Sequence, residues 1–362
     1  MQIAELDKRF CLEGKPGDGL RWISPDHPYF FLHGAASPRW AAPVRRLPKE
    51  GEEAFPEAVR EIAACTAGVR LRFKTDSRRI GLRATLGFVC RMSHMPLSGS
   101  SGFDLYAAQS GETPVFQKNF MPETESREVA GEAVFPGRAM REITLCLPLY
   151  NGVDLLEIGL EPESALLEPA PYAVGKPVVF YGSSITQGGC ASRPGNAYPA
   201  IVCRELNADM FNLGFTGNAK GEPEMAAYIA GLDMSALVLD YDYNAASAEA
   251  LKATHEPFFR IIRERHPSLP ILLLSKPNVD NDEAESAQRR NVILQTYRQA
   301  MESGDRRVYF LDGAFLFGTS YRDCCTVDGC HPNDLGFLRM AEAVLPVLRA
   351  AMEDNRTEPS HH

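Results

Sequence analysis

Four short stretches of this chain hold residues whose types and spacing could do chemistry together. Ser184 stands in "VVFYGSSITQGG" (Val178 to Gly189), where four apolar residues run straight into a glycine and two serines. Gly217 lies in "NLGFTGN", Asn244 in "DYDYNA", and Asp328 and His331 share "VDGCHPNDLGF". A serine hydroxyl is a poor nucleophile until a neighbouring base takes its proton, and a neutral imidazole does this near pH 7. A carboxylate behind the imidazole fixes its tautomer and steadies its charged form. Amide donors can then meet the negative charge on a carbonyl oxygen. The set is suited to acyl transfer. Each member also has an ordinary use. Ser184 could serve a turn or a helix cap, and Gly217 a turn. Asn244 could cap a helix starting near Ser247, and Asp328 could satisfy a loop in which Pro332 opens a helix.

The same residues test a phosphate cradle and fail it. A P-loop needs Gly-Lys-Ser/Thr, and no lysine follows Gly188 or Gly189. The turn is neither the G-x-G-x-x-G of a dinucleotide site nor the G-x-S-x-G elbow of an α/β-hydrolase.

The elements that must position these residues change character along the chain. "VRLRFKTDSRRIGLRATL" (Val69 to Leu86) alternates apolar and polar residues around Thr75-Asp76-Ser77, as two half-buried strands would. "GFDLYAA", "REITLCLPLYNGV" and "DLLEIGLEP" continue that rhythm, so a sandwich or jelly roll is expected, with one short helix around Pro56 to Ala64. "EPESALLEPAPYAVGKP" reads as a connector. Beyond it the apolar runs "PVVFYG", "MFNLGF", "ALVLDY", "PILLLS" and "RVYFLD" alternate with helix-length segments. Five continuous apolar strands separated by helices predict a parallel sheet covered on both faces. In such a sheet the working site lies beyond the carboxyl ends of the strands. Ser184, Gly217, Asn244 and the Asp328–His331 pair all follow such ends.

The expected divisions are a β-sandwich or jelly-roll domain over 1–161, a linker over 162–177, a second domain over 178–354, and a disordered tail or tag remnant over 355–362. A formal net charge of −9 and a pI near 5.5 argue against nucleic-acid or anionic-membrane partners. No apolar run approaches the roughly 18–20 residues of a bilayer span. The charged opening "MQIAELDKRFCLEGKPGDGL" lacks the apolar core of a secretion signal, so a cytoplasmic protein is expected. Nine cysteines without a CxxC pair predict reduced, mostly buried thiols. The Cys324, Cys325 and Cys330 cluster lacks the four ligands at workable spacing that a zinc site needs. No metal or cofactor is called for.

These blocks resemble those of the SGNH, or GDSL-type, hydrolase superfamily. The opening Gly-Asp-Ser-Leu appears as Gly182-Ser183-Ser184-Ile185, and Asn-x-Gly-x-Ser-Gly as Asn212-Leu213-Gly214-Phe215-Thr216-Gly217. Gly-x-Asn-Asp survives only as Asp242-Tyr243-Asn244-Ala245, and Asp-x-x-His-Pro is intact as Asp328 to Pro332. "SGFDLY" (Ser101 to Tyr106) and "RFKTDS" (Arg72 to Ser77) resemble a β-sandwich domain found ahead of one branch of that superfamily. The resemblance implies a flavodoxin-like three-layer α/β domain with a five-stranded parallel sheet behind a β-sandwich. It implies Ser184 as nucleophile, His331 as base and Asp328 as its partner. Ser184 and Gly217 backbone amides and the Asn244 side chain would form the oxyanion hole. It also implies a carbohydrate esterase removing small acyl groups, acetyl first, from a small-molecule or oligosaccharide ester, with a homo-oligomer left open. The alternatives are an acyltransferase on the same site and an inactive carbohydrate-binding protein.

Overall fold

The computed structural model describes residues 16–109 and 111–357. Its N-terminal part is two antiparallel sheets. One runs in the order β1 (Arg21–Ile23), β9 (Val153–Leu160), β4 (Arg79–Leu86) and β7 (Glu128–Val134). The other runs β10 (Leu166–Leu167), β3 (Arg70–Thr75), β8 (Arg141–Cys146), β5 (Phe103–Ala108) and β6 (Val115–Phe120), with β2 (Phe31–His33) also on β3. Successive side chains on a strand point to opposite faces. Ile80, Leu82, Ala84 and Leu86 of β4 therefore all face inward, and share one core with Leu71, Phe73, Ile143 and Leu145 of the other sheet. The expected sandwich is there. The Thr75–Ser77 bend does not make a hairpin, because β3 pairs with β8 while β4 pairs with β9, so the chain crosses between sheets.

The expected connector carries strand pairing of its own. Leu166 and Leu167 bond back to Thr75 and Lys74 of β3. The next strand, β11 (Val174–Gly182), already begins pairing at Val174. It is the hub of a parallel sheet ordered β12 (Ala208–Gly214), β11, β13 (Ala236–Asp240), β14 (Ile271–Leu274) and β15 (Val308–Leu311). Short helices α1 (Glu57–Ile62) and α2 (Leu97–Ser100) belong to the N-terminal part. After β11 come α3 (Ser184–Gln187), α4 (Tyr198–Leu206), α5 (Pro223–Ala230), α6 (Ala248–Arg265), α7 (Glu283–Glu302) and α8 (Asp334–Thr357). Ser247 caps α6 by accepting from Ala250 N at 3.2 Å, and Asp282 caps α7 by accepting from Glu285 N at 2.9 Å. α8 runs three residues beyond the expected end of the domain; residues 358–362 of the expected tail lie outside the described residues.

Alternation along β11 shows why its run of apolar residues is unbroken. Val178 and Phe180 pack with Tyr198 and Val202 of α4 and Phe337, Met340 and Val344 of α8. Val179 and Tyr181 pack on the other face with Met225, Leu251, Phe258 and Ile293 of α5, α6 and α7. Both faces are buried, each such side chain stabilising the fold by roughly 1.5–3 kcal/mol. Leu47, Phe55 and Val59 of the N-terminal part join the second core, so the two parts pack against each other. Among the described residues no helix is long and apolar enough to cross a membrane. The eight described cysteines are free, and five are buried.

Candidate active site

β11 stops at Gly182 for want of space. A Cβ there would lie 2.1 Å from Thr186 Oγ1 and 2.4 Å from Asp240 O, so only glycine lets the neighbouring loops close over the strand end. Ser183 then turns inward, wholly buried, and its hydroxyl accepts from Ile185 N at 3.2 Å as the cap of α3. Ser184 turns the other way. Its Oγ is 2.9 Å from His331 Nε2. The cap and the hydroxyl beside the imidazole are thus adjacent residues with separate tasks.

The Asp-x-x-His spacing has a local cause. Asp328 Oδ1 accepts the backbone N–H of Cys330 at 3.0 Å and of His331 at 2.7 Å, folding the loop back on the carboxylate. That turn sets Asp328 Oδ2 2.7 Å from His331 Nδ1. Partial burial works to raise the Asp328 pKa, but the bonds from the His331 backbone, its ring and Cys330 N–H outweigh it and hold the carboxyl at about 2. The carboxylate is therefore charged at any pH where imidazole is a base. With Nδ1 facing Asp328, Nε2 is left to accept from Ser184. The loop is pinned from outside: Val327 N donates to His331 O at 2.9 Å, and Asn278 and Asn281 side chains both donate to Gly329 O.

Gly217 has φ 66, in the left-handed region glycine favours, and open space where a side chain would stand. Among the described residues its backbone N–H has no hydrogen-bond acceptor, nor has that of Ser184. Asn244 ends a one-turn 3-10 helix, Asp242–Asn244, just past β13. It does not cap α6, which Ser247 does. Its Nδ2 donates to Phe215 O at 3.0 Å, which ties the Gly217 turn to the end of β13 and leaves the second amide hydrogen for the rim. Asp242, where the resembling motif has glycine, is buried and accepts Lys276 N at 2.9 Å, anchoring the same turn to the end of β14. Burial pushes its carboxyl up to about 6. Burial and the charge of Asp242 push Asp240 up to about 7, where it accepts from Thr186 Oγ1 at 2.9 Å and Tyr198 OH at 3.0 Å.

Four residues of the N-terminal half that sequence reasoning did not single out serve this rim. The Arg46 guanidinium is fully buried and donates to Asn212 O at 3.0 Å, Gly214 O at 2.6 Å, Ile62 O at 2.8 Å and Cys65 O at 2.7 Å. Among the described residues no carboxylate pairs with it; it clamps the end of β12 through carbonyls, and burial lowers it to about 10. Tyr150 OH donates to Ser184 O at 3.3 Å. Asp104, inside the "GFDLY" stretch, is wholly buried and accepts Gly195 N at 2.8 Å, Asn119 Nδ2 at 2.9 Å and Arg193 Nη1 at 3.2 Å. Burial raises its pKa against those bonds. Asp334 takes up the same loop by accepting Ser192 N at 2.8 Å and Asn196 Nδ2 at 2.9 Å, and it lies three residues beyond His331. The fourth is His94, whose ring centroid is 5.7 Å from that of His331. The "GFDLY" match was a usable signal for Asp104. Nothing in a single sequence marks an arginine that will be satisfied by distant carbonyls.

Such a rim can carry nucleophilic acyl transfer: a hydroxyl on an imidazole, a charged carboxylate behind it, and free amide donors beside it. Known proteins agree at the level of family and fold. Residues 175–349 match the GDSL-like lipase/acylhydrolase family, and residues 20–166 match the GxDLY N-terminal domain of SGNH hydrolase-type esterases. No curated protein matches the chain. A Bacteroides ovatus protein assigned as a GDSL-like lipase is 27% identical, with 92% of this chain and 98% of that one covered and a TM-score of 0.82. A salicylyl-acyltransferase from a tetracycline biosynthetic pathway is 23% identical over 95% and 99% of the two chains, with a TM-score of 0.74. A family two carbohydrate esterase from Clostridium thermocellum, in complex with cellohexaose, is 15% identical over 80% and 94%, with a TM-score of 0.57. The chain belongs to the GDSL-like, or SGNH, acylhydrolase family, in the branch that carries a GxDLY domain ahead of the hydrolase fold.

Proposed function

We propose that this protein is a serine esterase that removes small acyl groups, acetyl first, from a carbohydrate. One observation carries the chemistry: the unbroken line from Ser184 Oγ through His331 to Asp328, with gaps of 2.9 and 2.7 Å. Ser184 Oγ attacks the ester carbonyl carbon while its proton passes to His331 Nε2. Asp328 holds the imidazole and balances the charge it gains. The oxygen that becomes negative is met by the backbone N–H of Ser184 and Gly217 and by the Asn244 amide. Collapse expels the sugar alkoxide, which takes the proton from His331, and leaves an acyl-Ser184. Water, deprotonated by the same imidazole, then releases the acid. The carbohydrate and the small acyl group draw on relatives of the same fold, the esterase crystallised with cellohexaose and an acetyl xylan esterase from Butyrivibrio proteoclasticus.

The test is release of acetate from acetylated xylo- and manno-oligosaccharides, followed beside p-nitrophenyl acetate with and without an added deacetylated sugar. Free acetate from the oligosaccharide is the expected product. Acyl transfer to the added sugar at the expense of acetate would make the protein a transferase, as is the tetracycline-pathway neighbour. Turnover of the nitrophenyl ester alone would remove the carbohydrate from the proposal.

A further inference from the structure

Two side chains at the rim have no task in this chemistry and stand beside the one imidazole that has. His94, Cys190 and His331 each present one ligand atom, and the three atoms all lie within 4.8 Å of one another. His94 comes from the segment between β4 and α2, Cys190 follows α3, and His331 comes from the loop ahead of α8. Imidazole nitrogen and thiolate sulfur at about 2.0–2.3 Å are what zinc takes in its protein sites. Drawing the three donors onto one tetrahedral centre needs side-chain movement of about 1 Å on those bond lengths.

Two further features point to a ligand. Cys190 holds φ 74, a left-handed conformation costly to a non-glycine residue, directly after two glycines that would adopt it freely. Its sulfur is kept buried beside two imidazoles at that cost. His331 Nδ1 is already engaged by Asp328, so Nε2 is the nitrogen it can offer. A carboxylate behind the imidazole is also what orients a metal-bound histidine.

We propose that His94, Cys190 and His331 form a zinc site that, when filled, takes the Nε2 lone pair from Ser184 and stops the nucleophile. The Cys190 thiol gives its proton to solvent as it binds, and a water completes the tetrahedron as fourth ligand. Two imidazoles and a thiolate select zinc or cobalt(II) over magnesium and calcium, which require oxygen ligands. The binding stands by itself; the inhibition rests on Ser184 acting as the esterase nucleophile.

The experiment titrates the full chain with Co²⁺ as a spectroscopic stand-in and then displaces it with Zn²⁺. One Co²⁺ per chain is expected, with a thiolate-to-cobalt charge-transfer band that Zn²⁺ abolishes and Mg²⁺ does not. Cys190→Ser should remove the band. His94→Ala should weaken binding by at least about tenfold, and Asp328→Asn, behind the imidazole, by about 10–100-fold. Ser184→Ala should leave binding intact. In turnover assays Zn²⁺ should inhibit reversibly to EDTA, and His94→Ala should need at least about tenfold more Zn²⁺ for the same fractional inhibition. No band in the wild type overturns the site. So does a band that persists in Cys190→Ser, which would put the metal on another thiol such as the exposed Cys324. If the chain turns over no ester, the esterase proposal falls while the cobalt titration still decides this one.

Discussion

In the parallel-sheet half, side chains reach the rim because strands end there: Ser184 follows β11, Gly217 follows β12, and Asn244 follows β13. In the antiparallel half they reach it from within a strand or from loops at one end of the sandwich, as Asp104, Arg46 and Tyr150 do. The first group brings hydroxyl, amide and imidazole together at the rim, with Ser184 itself buried. The second is buried and spends its hydrogen bonds on backbone: Arg46 on carbonyls of β12, Tyr150 on the Ser184 carbonyl, Asp104 on Gly195 N–H. A division of labour follows. On the proposed mechanism the hydrolase fold would supply the reacting groups, and the sandwich would fix where their backbones lie. If so, substitutions in the first group should remove rate and leave stability, and those in the second should do both in smaller measure.

Ser184→Ala should show the largest effect, a loss of about 10⁴-fold or more in kcat with the melting temperature unchanged. Ser183→Ala should behave oppositely, losing a cap and about 0.5–2 kcal/mol of stability while keeping substantial activity. A fluorophosphonate that labelled Ser183 and spared Ser184 would reverse the two tasks.

Asn244→Ala comes next. Loss of one oxyanion donor costs about 10²–10³ in kcat with little change in KM. The same residue also ties the Gly217 turn through Phe215 O, a task that belongs to the second group. Asn244→Asp can donate neither bond at neutral pH, whereas Asn244→Gln keeps an amide but moves it. Steady-state kinetics beside thermal melts decide it. A lower melting temperature with unchanged kcat would make Asn244 a fastener of the turn.

Legibility in the sequence follows the same division. The five strands of the parallel sheet were readable because helices cover both faces of the sheet, which keeps its strands mostly apolar. The pairing of Asp328 with His331 was readable because the turn that joins them is local. The connector was legible only as a link between the domains, yet Leu166 and Leu167 within it find open hydrogen-bonding positions on β3. That depends on which strand lies at the sheet edge, and no local pattern encodes it. Arg46, Tyr150 and His94 were illegible for a related reason. Their partners lie far along the chain, and an arginine among hydrophobic neighbours reads as surface until the carbonyls around it are known.

Asp104→Asn tests the sandwich's share. Each carboxylate oxygen of Asp104 accepts from at least one donor, Asn119 on one side and Gly195 and Arg193 on the other. An amide in its place must turn a donor toward one of them. The expected cost is about 1–3 kcal/mol for the unpaired buried group. Because the Ser192–Asn196 loop is shared with Asp334, near His331, a modest loss in kcat with unchanged KM should accompany it. Reduced stability with kcat fully retained would confine the sandwich to a scaffold with no hold on the imidazole loop.

Asp240→Asn should leave the least mark on activity and most on how stability varies with pH. Both halves bury a carboxyl behind the rim, but Asp104 has an arginine and Asp240 has only the hydroxyls of Thr186 and Tyr198 on one oxygen, with no hydrogen-bond partner on the other among the described residues. Burial, with the charge of Asp242, raises Asp240 to about 7, against about 3.9 in an unfolded chain. Between those values the folded protein holds a proton that the unfolded chain has lost, so stability falls as pH rises, by at most about 1.4 kcal/mol per unit for one group. Asp242, at about 6, adds to the same slope only up to its own value. The wild type should therefore lose stability steadily from pH 4 to 7, and Asp240→Asn should lose it less steeply and level off near pH 6. Denaturant unfolding at pH 5, 6, 7 and 8 measures both curves. Parallel curves would mean that Asp240 keeps one charge state across this range and that its burial is compensated by something other than a proton.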